Sequence, residues 1–166
     1  MAVDSYAFLP RAFRPLYEAV PQLDHEPVWA EFTTPLAEAK VGLLSSAGIY
    51  LAGQQPPFDV ERERREPTWG DPTLRLIPSD VAQSHIGATH LHINTADILT
   101  DLNVALPVHR LGDLVSDGVV AAAAEQHFSV MGYQQEGADV WRAETGPEIA
   151  ARSHDAQLDA VILAPA

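Results

Sequence analysis

The sequence contains no cysteine, few basic residues and no long apolar run. The absence of cysteine excludes disulfides, thiolate metal ligands and a cysteine nucleophile within these residues. Ten Lys and Arg stand against 23 Asp and Glu, so the formal net charge is -13. Such an acidic chain repels phosphate backbones and anionic lipids, which argues against nucleic acid and membrane surfaces as partners.

No stretch approaches the roughly 18 apolar residues of a membrane-spanning helix. The first residues, Met1-Ala2-Val3-Asp4, lack the basic start and apolar core of a secretion signal. We therefore expect a cytoplasmic protein.

The chain length of 166 residues fits one domain with an N-terminal arm. Residues 1–39 hold five of the thirteen prolines together with scattered aromatic residues. Proline interrupts both helices and β-ladders. We predict an extended arm over 1–39, with one helical turn near Leu16–Val20, and an α/β domain over 40–166.

Strand and helix patterns alternate along residues 40–166. This alternation is typical of an α/β fold, here a single-layer, mostly parallel, Rossmann-like sheet flanked by helices. The charged run at 61–66 is expected to be solvated loop. The predicted strands are 40–49, 74–78 and 88–93 and 159–163, with 128–133 as a strand or turn, and the predicted helices are 96–102, 107–116 and 147–155.

Histidine is concentrated in one stretch of the predicted domain. On a strand over 88–93, His90 and His92 would point to the same face, because strand side chains alternate. With Asp97 they offer two imidazoles and a carboxylate, which are ligand types that suit zinc or iron. We predict His90, His92 and Asp97 as catalytic residues and as a site for one divalent transition metal. Two alternatives stay open: the histidines hydrogen-bond to loop carbonyls and carboxylates, or they transfer protons and recognise a carboxylate.

Signatures of nucleotide-binding proteins and serine hydrolases are missing. The sequence has neither G-x-G-x-x-G nor a P-loop, and Ser45-Ser46 does not form a nucleophile elbow. Arg75 and Arg110 are candidates for binding a substrate carboxylate, because guanidinium is a planar double donor. Structural pairing with nearby acids is the alternative.

Several blocks, taken together, resemble one family, the selenoprotein B family of the glycine, sarcosine, betaine and D-proline reductases. The resemblance runs from about Pro35 to the C-terminus. In that family, the strand similar to residues 158–165 leads into a segment with selenocysteine or cysteine, which drives reductive cleavage. This sequence ends at Ala166 and has no cysteine, so that nucleophile has no counterpart here. The blocks are KVGLLSSAGIYLAGQQPPFD (40–59), GDPTLRLIP (70–78), HLHINTADILTDLNVALPVHRL (90–111), HFSVMGY (127–133), PEIA (147–150) and LDAVILAP (158–165).

The resemblance implies a short stand-alone member that keeps the family's histidine-bearing part. Gly48, Gln54, Asn103 and Arg110 are the substrate-binding residues that it implies. The chain departs from the family at Asn94 and His109, where the family usually has an acid. The matched positions are His90, His92, Asp97, Asp101, Asn103 and Arg110, and in the loop Gly48, Gly53, Gln54 and Asp59.

Three functions are compatible with these residues. The first is a small enzyme that acts on an amino-acid-like or amine substrate in a His/Asp pocket, with or without a metal and without thiol or selenol chemistry. The second is a non-catalytic subunit of a separate reductase chain, and the third is a small-molecule sensor. The predicted terminal strand leaves an open sheet edge, so we expect a homodimer or a partner chain to cover it.

Overall fold

The computed structural model describes residues 30–134, 136 and 138–166, together with 11, 12, 14 and 15. The chain divides into two units, Met1–Glu31 and Phe32–Ala166, and the strands and helices given below belong to the second. The helical turn predicted near Leu16–Val20 lies outside the described residues. The boundary predicted after residue 39 stays a prediction; in the structure, Ala39 is fully buried within the second unit.

The residues that the structure describes form seven strands in two sheets. The larger sheet is built around β1, with β5 and β6 parallel along one side and β7 parallel along the other. β3 pairs antiparallel with β6, and β2 and β4 form a separate antiparallel pair. The predicted α/β fold with a mostly parallel sheet is therefore confirmed. The strands are β1 (Lys40–Ser45), β2 (Ile49–Leu51), β3 (Arg75–Pro78), β4 (Ile86–Ala88), β5 (Ala122–Ala123), β6 (Gln126–Ser129) and β7 (Ala160–Ala164).

Among the described residues, a helix lies in each predicted helical stretch, and two short helices are additional, α1 (Val60–Arg65) and α4 (Ala138–Val140). α1 occupies a stretch predicted as solvated loop, and it begins because the Asp59 carboxylate accepts a hydrogen bond from Arg62 N at 2.9 Å. α2 ends before the predicted residue 102, since the backbone of Asp101 is extended. The helices are α1 (Val60–Arg65), α2 (Ala96–Thr100), α3 (Val108–Ser116), α4 (Ala138–Val140) and α5 (Gly146–Asp155), with a π-helical turn at Trp141–Thr145 and 3₁₀ turns at Leu36–Glu38, Gln83–His85 and Leu102–Val104.

The two faces of the large sheet have different cover. Ile77 and Leu43 are buried on the face that packs in one core with Leu111 of α3. Leu76 lies on the opposite face, because neighbouring strand residues point to opposite sides, and there it shares a cavity with Arg152 of α5. The sheet therefore has helices on both sides. Among the described residues, no helix combines the length and apolar character that crossing a membrane requires. The cytoplasmic location stays a prediction.

Candidate functional site

His90 and His92 lie in a bend that follows β4. The strand ends at Ala88, so the prediction of a strand over 88–93 is wrong in this part. The two rings are nevertheless neighbours, with centroids 5.8 Å apart and planes at 82°. The bend brings them together because the backbone N–H of His92 donates to Nδ1 of His90 at 3.1 Å.

Gly48 fixes the start of this bend. Its N–H donates to the carbonyl of Val130, and its carbonyl accepts from the N–H of Thr89, both at 3.0 Å. Its φ is +65°, and a Cβ there would stand 2.0 Å from the carbonyl oxygen of Thr89. Only glycine fits such a position without strain. Gly48 thus links the large sheet to the residue before His90, and its predicted contact with substrate stays a prediction.

Glu63 is a buried acid in an otherwise exposed helix. It is 3% exposed, whereas Glu61, Arg62 and Arg64 of α1 are exposed. Neither carboxylate oxygen has a hydrogen-bond partner within the described residues. The expectation that the whole charged run is solvated is therefore wrong at this residue, and Glu63 is the site residue that the sequence analysis missed.

The surroundings of Glu63 make its charged form less favourable than it is in water. Burial raises the pKa of Glu63 above its ordinary value of 4.5. The charge of nearby His92 lowers that pKa, while the carboxylates of Asp71 and Asp59 raise it further. Glu63 and His92 thus belong to one electrostatic environment, although they lie far apart in sequence.

Asp71, the acid beside Glu63, is fully engaged. One of its oxygens accepts from the N–H of Asp59 at 2.9 Å, and the other accepts from the N–H of Thr73 at 2.9 Å. These bonds tie the start of α1 to the loop that precedes β3. Asp71 therefore acts as a structural acid, in contrast to Glu63.

Tyr133 forms a further wall of the site. Its ring centroid lies 4.8 Å from that of His92, with the planes at 47°. The chain can pass here only because residue 70 is glycine, since a Cβ on Gly70 would stand 1.6 Å from the carbonyl oxygen of Tyr133. Close contact between the two loops thus depends on the G-D-P sequence at Gly70.

His90 presents a buried donor. Nδ1 already accepts the N–H of His92, so the neutral ring carries its proton on Nε2. Nε2 is buried and has no hydrogen-bond partner in the part of the chain that the structure describes. Burial lowers the pKa of His90, and the neighbouring His92 lowers it further, so the neutral form is favoured.

Asp97 is not assembled with the histidines into a metal site. It lies in the first turn of α2 and lines a separate cavity of about 390 Å³ with Val104 and Ala164. Across the described ranges, no group of three or more His, Asp or Glu side chains is placed to hold a metal ion. The structure therefore gives no support to the predicted zinc or iron site of His90, His92 and Asp97. The reason is local: the bend after β4 and the turn into α2 replace the strand on which the prediction depended.

Arg110 lies in the first turn of α3, and Asn103, in the preceding 3₁₀ turn, is hydrogen-bonded to it. The side-chain carbonyl of Asn103 accepts from the N–H of His109 at 3.0 Å and from that of Arg110 at 3.3 Å. Arg110 is exposed and forms an ion pair with Asp113 at 2.8 Å. These contacts organise the helix, and none among the described residues joins this pair to His90 or His92. Substrate binding by Asn103 and Arg110 stays a prediction.

Gln54 and Arg75, two further residues predicted to bind the substrate, lie among contacts that hold loops together. Gln54 is exposed in the turn after β2, while the neighbouring Gln55 makes the cross-links, to Leu51 N and Leu76 O, both at 2.9 Å. Arg75 is 9% exposed, donates to the carbonyl of Pro56 at 2.9 Å and covers the ring of Phe58 at 4.4 Å. Arg75 therefore holds the loop before α1, and a contact between Gln54 and substrate stays a prediction.

His127 is a histidine of the sheet interior, and its Nε2, like that of His90, is buried with no hydrogen-bond partner among the described residues. It lies in β6, is fully buried, and accepts the N–H of Leu43 on Nδ1 at 3.2 Å. Burial lowers its pKa to about 4, which keeps the ring neutral. In contrast, His92 is exposed and touches an aromatic ring, so it is the histidine that a ligand can reach.

The fold and the site define an α/β protein with a buried carboxylate and a histidine pair beside a loop tyrosine. The chain is 29% identical over 139 residues to a protein named D-proline reductase subunit gamma from Acetoanaerobium sticklandii. The alignment covers 82% of this chain and 52% of that protein, so the chain spans about half the length of this relative. No family model matches, and no solved structure matches. The chain is thus a distant relative of a protein named as a reductase subunit.

Proposed function

We propose that this chain has a reductase-related role and binds a small amino-acid-like substrate beside Glu63, His90 and His92. One observation carries the proposal: a buried acceptor and a buried donor, the Glu63 carboxylate and His90 Nε2, both lack partners among the described residues. The distant relationship to a protein named D-proline reductase subunit gamma supports the reductase part.

Unpartnered buried polar groups are unfavourable, because burial removes water without replacing its hydrogen bonds. A ligand that supplies one donor and one acceptor would satisfy both groups at once. A small amino acid carries both, as an ammonium and a carboxylate. His92, exposed and in contact with Tyr133, is suited to transfer a proton to or from such a ligand.

The reductive half of the chemistry would come from another chain. These 166 residues contain no cysteine, so they supply no thiol that could donate electrons. The relative is named as a subunit, which supports a partner of this kind. We therefore propose that this chain holds the substrate while a partner chain supplies the thiol or selenol. A stand-alone enzyme is the competing proposal.

Binding to the full chain tests the site. Isothermal titration calorimetry with D-proline, glycine and N-methylglycine should show saturable binding of at least one of them. His92→Ala should weaken that binding about tenfold, as expected for the loss of one contact to a charged ligand. His154→Ala is the matched control, because the side chain of His154 is 92% exposed in α5. Absence of saturable binding of all three compounds would contradict the proposed function.

The exposed edge of β7 supports the proposal that a partner chain binds here. β7 pairs with β1 alone among the described strands, so its outer edge is open. Ile162 and Leu163 on this strand are 51% and 66% exposed. Open apolar edges of this kind pair readily with another chain. Ile162→Lys should abolish co-purification with a partner from the native host, or, if the partner is a second copy, dimer formation in size-exclusion chromatography. Unchanged assembly would contradict the role of β7.

A further inference from the structure

We infer that Glu63 is the cation-recognition residue of the site, and that it selects ligands whose ammonium group carries N–H donors over fully N-alkylated cations. The natural ligand rests on the proposed function, whereas the chemistry of Glu63 rests on its own surroundings. A carboxylate accepts hydrogen bonds through both oxygens, and a bond from a charged donor is among the stronger ones in proteins.

The cations nearest in sequence to Glu63 are engaged elsewhere. Arg62 pairs with Glu66 at 2.9 Å and lies over the ring of Trp69 at 4.2 Å. Arg64 pairs with Glu61, and Nε of Arg65 donates to the carbonyl of Glu61 at 3.3 Å. The helix thus carries three arginines, yet within the described residues none of them forms an ion pair with Glu63.

The acids around Glu63 are also engaged. Asp59 accepts from Arg62 N, and both oxygens of Asp71 accept backbone N–H groups. These carboxylates make the electrostatic potential at Glu63 more negative. Their own oxygens already accept hydrogen bonds, whereas the oxygens of Glu63 accept none from the described residues. A positively charged ligand is therefore favoured, and its hydrogen bonds would be made to Glu63.

Two aromatic rings of this part of the chain already have a neighbour. Quaternary ammonium groups are held by aromatic rings through cation–π contacts. Here the guanidinium of Arg62 lies over Trp69, and the ring of His92 lies against Tyr133. Recognition through the Glu63 carboxylate, in contrast, uses N–H groups on the ligand.

Paired probes test this selection directly. The full chain is titrated by calorimetry with pyrrolidinium, a secondary ammonium, and with N,N-dimethylpyrrolidinium, which has the same charge but no N–H. The wild type should bind pyrrolidinium about tenfold more tightly, as expected for one charged hydrogen bond. Glu63→Gln should lose this preference. Glu61→Gln, in the same helix and exposed, should keep it.

A second variant and a folding check protect the result. Glu63→Met removes the acceptor without introducing an amide, and circular dichroism reports whether each variant folds. The inference is overturned if the wild type binds pyrrolidinium no better than the dimethylated probe, or if a folded Glu63 variant keeps the preference.

The two proposals fail in different ways. If pyrrolidinium binding depends on Glu63 but D-proline, glycine and N-methylglycine do not bind, the inference holds and the proposed function fails. If D-proline binding is weakened by His92→Ala but is the same in wild type and in a folded Glu63 variant, substrate binding at the histidine pair holds and the inference about Glu63 fails.

Discussion

Replacing Glu63 by Met should stabilise the ligand-free protein at neutral pH. Glu63 is 3% exposed, and its carboxylate has no hydrogen-bond partner among the described residues. Methionine has a similar length and no polar atom, so the substitution removes the buried charge and loses no bond. A gain in stability is unusual for a core substitution, and it follows only if Glu63 is unpartnered.

The magnitude follows from the cost of an unsatisfied buried group. That cost is about 1–3 kcal/mol for neutral groups and larger for charged ones. We expect the free energy of unfolding to rise by about 1–3 kcal/mol at pH 8. For a chain of this length, each kcal/mol corresponds to about 2–4 °C in Tm.

The gain should depend on pH. Burial raises the pKa of Glu63 in the folded state above 4.5. Between the unfolded and the folded pKa, the folded state holds the proton more tightly, so the wild type loses stability as pH rises through this window. The methionine variant has no such group. The difference between the two proteins should therefore be smallest below pH 4.5 and largest above the folded pKa.

Urea unfolding of both proteins at about pH 4 and pH 8 measures this difference. Glu61→Gln serves as the control; the side chain of Glu61 is 75% exposed, and exposed substitutions usually change stability by less than about 0.5 kcal/mol. A methionine variant that is less stable at pH 8, or a difference that does not change with pH, would refute the reasoning. Either result would mean that Glu63 has a partner in the folded protein.

Three further predictions test the surroundings of the site. Gly70→Ala should lower the free energy of unfolding by about 2 kcal/mol or more in urea unfolding, because the new Cβ would lie 1.6 Å from the carbonyl oxygen of Tyr133. Gly112→Ala is the control, because a Cβ at residue 112 meets no atom within 4 Å. Equal stability of the two variants would contradict the close contact at Gly70. Asn103→Ala should lower stability by about 1 kcal/mol, because the Asn103 side-chain carbonyl accepts two N–H groups of the first turn of α3. Ligand binding should be unchanged in calorimetry, and weaker binding would instead support the predicted substrate contact of Asn103. Dialysis against a chelator should leave Tm unchanged, because no group of three His, Asp or Glu side chains among the described residues is placed to hold a metal ion. A lower Tm after dialysis would support the metal hypothesis again.

The fold could be predicted to the level of class because apolar runs report buried strands. β1 and β3 fall within the predicted strands, β7 matches the predicted strand 159–163 to within one residue at each end, and α3 and α5 match the predicted helices. The antiparallel pairing of β3 and the small sheet of β2 and β4 could not be predicted. Their strands are three or four residues long, and pairing depends on contacts far along the chain rather than on local periodicity.

The site was predictable only in part. The H-x-H spacing singled out His90 and His92, although a bend rather than a strand brings their rings together. Asp97 was grouped with them because it follows the H-x-H motif in sequence and supplies a carboxylate, whereas in the structure it begins α2 and lines a separate cavity. Glu63 escaped notice because composition marks its run as solvated. One signal was available: Val60 and Glu63 are three residues apart, so they share a helix face, and Val60 is the apolar residue of α1.

The arrangement of α1 argues that the burial of Glu63 serves binding. Arg62 pairs with Glu66 and Arg64 with Glu61, while Arg65 donates to the carbonyl of Glu61. The cations of this helix therefore make their contacts away from Glu63. A buried acid kept only for structure would be expected to resemble Asp71, whose oxygens accept backbone N–H groups. Glu63 lowers stability because it has no partner among the described residues, and it lies near the exposed His92. Such a cost in stability is typical of a functional site. If that is its origin, the variant that raises Tm must also be the one that loses the preference for N–H-bearing cations.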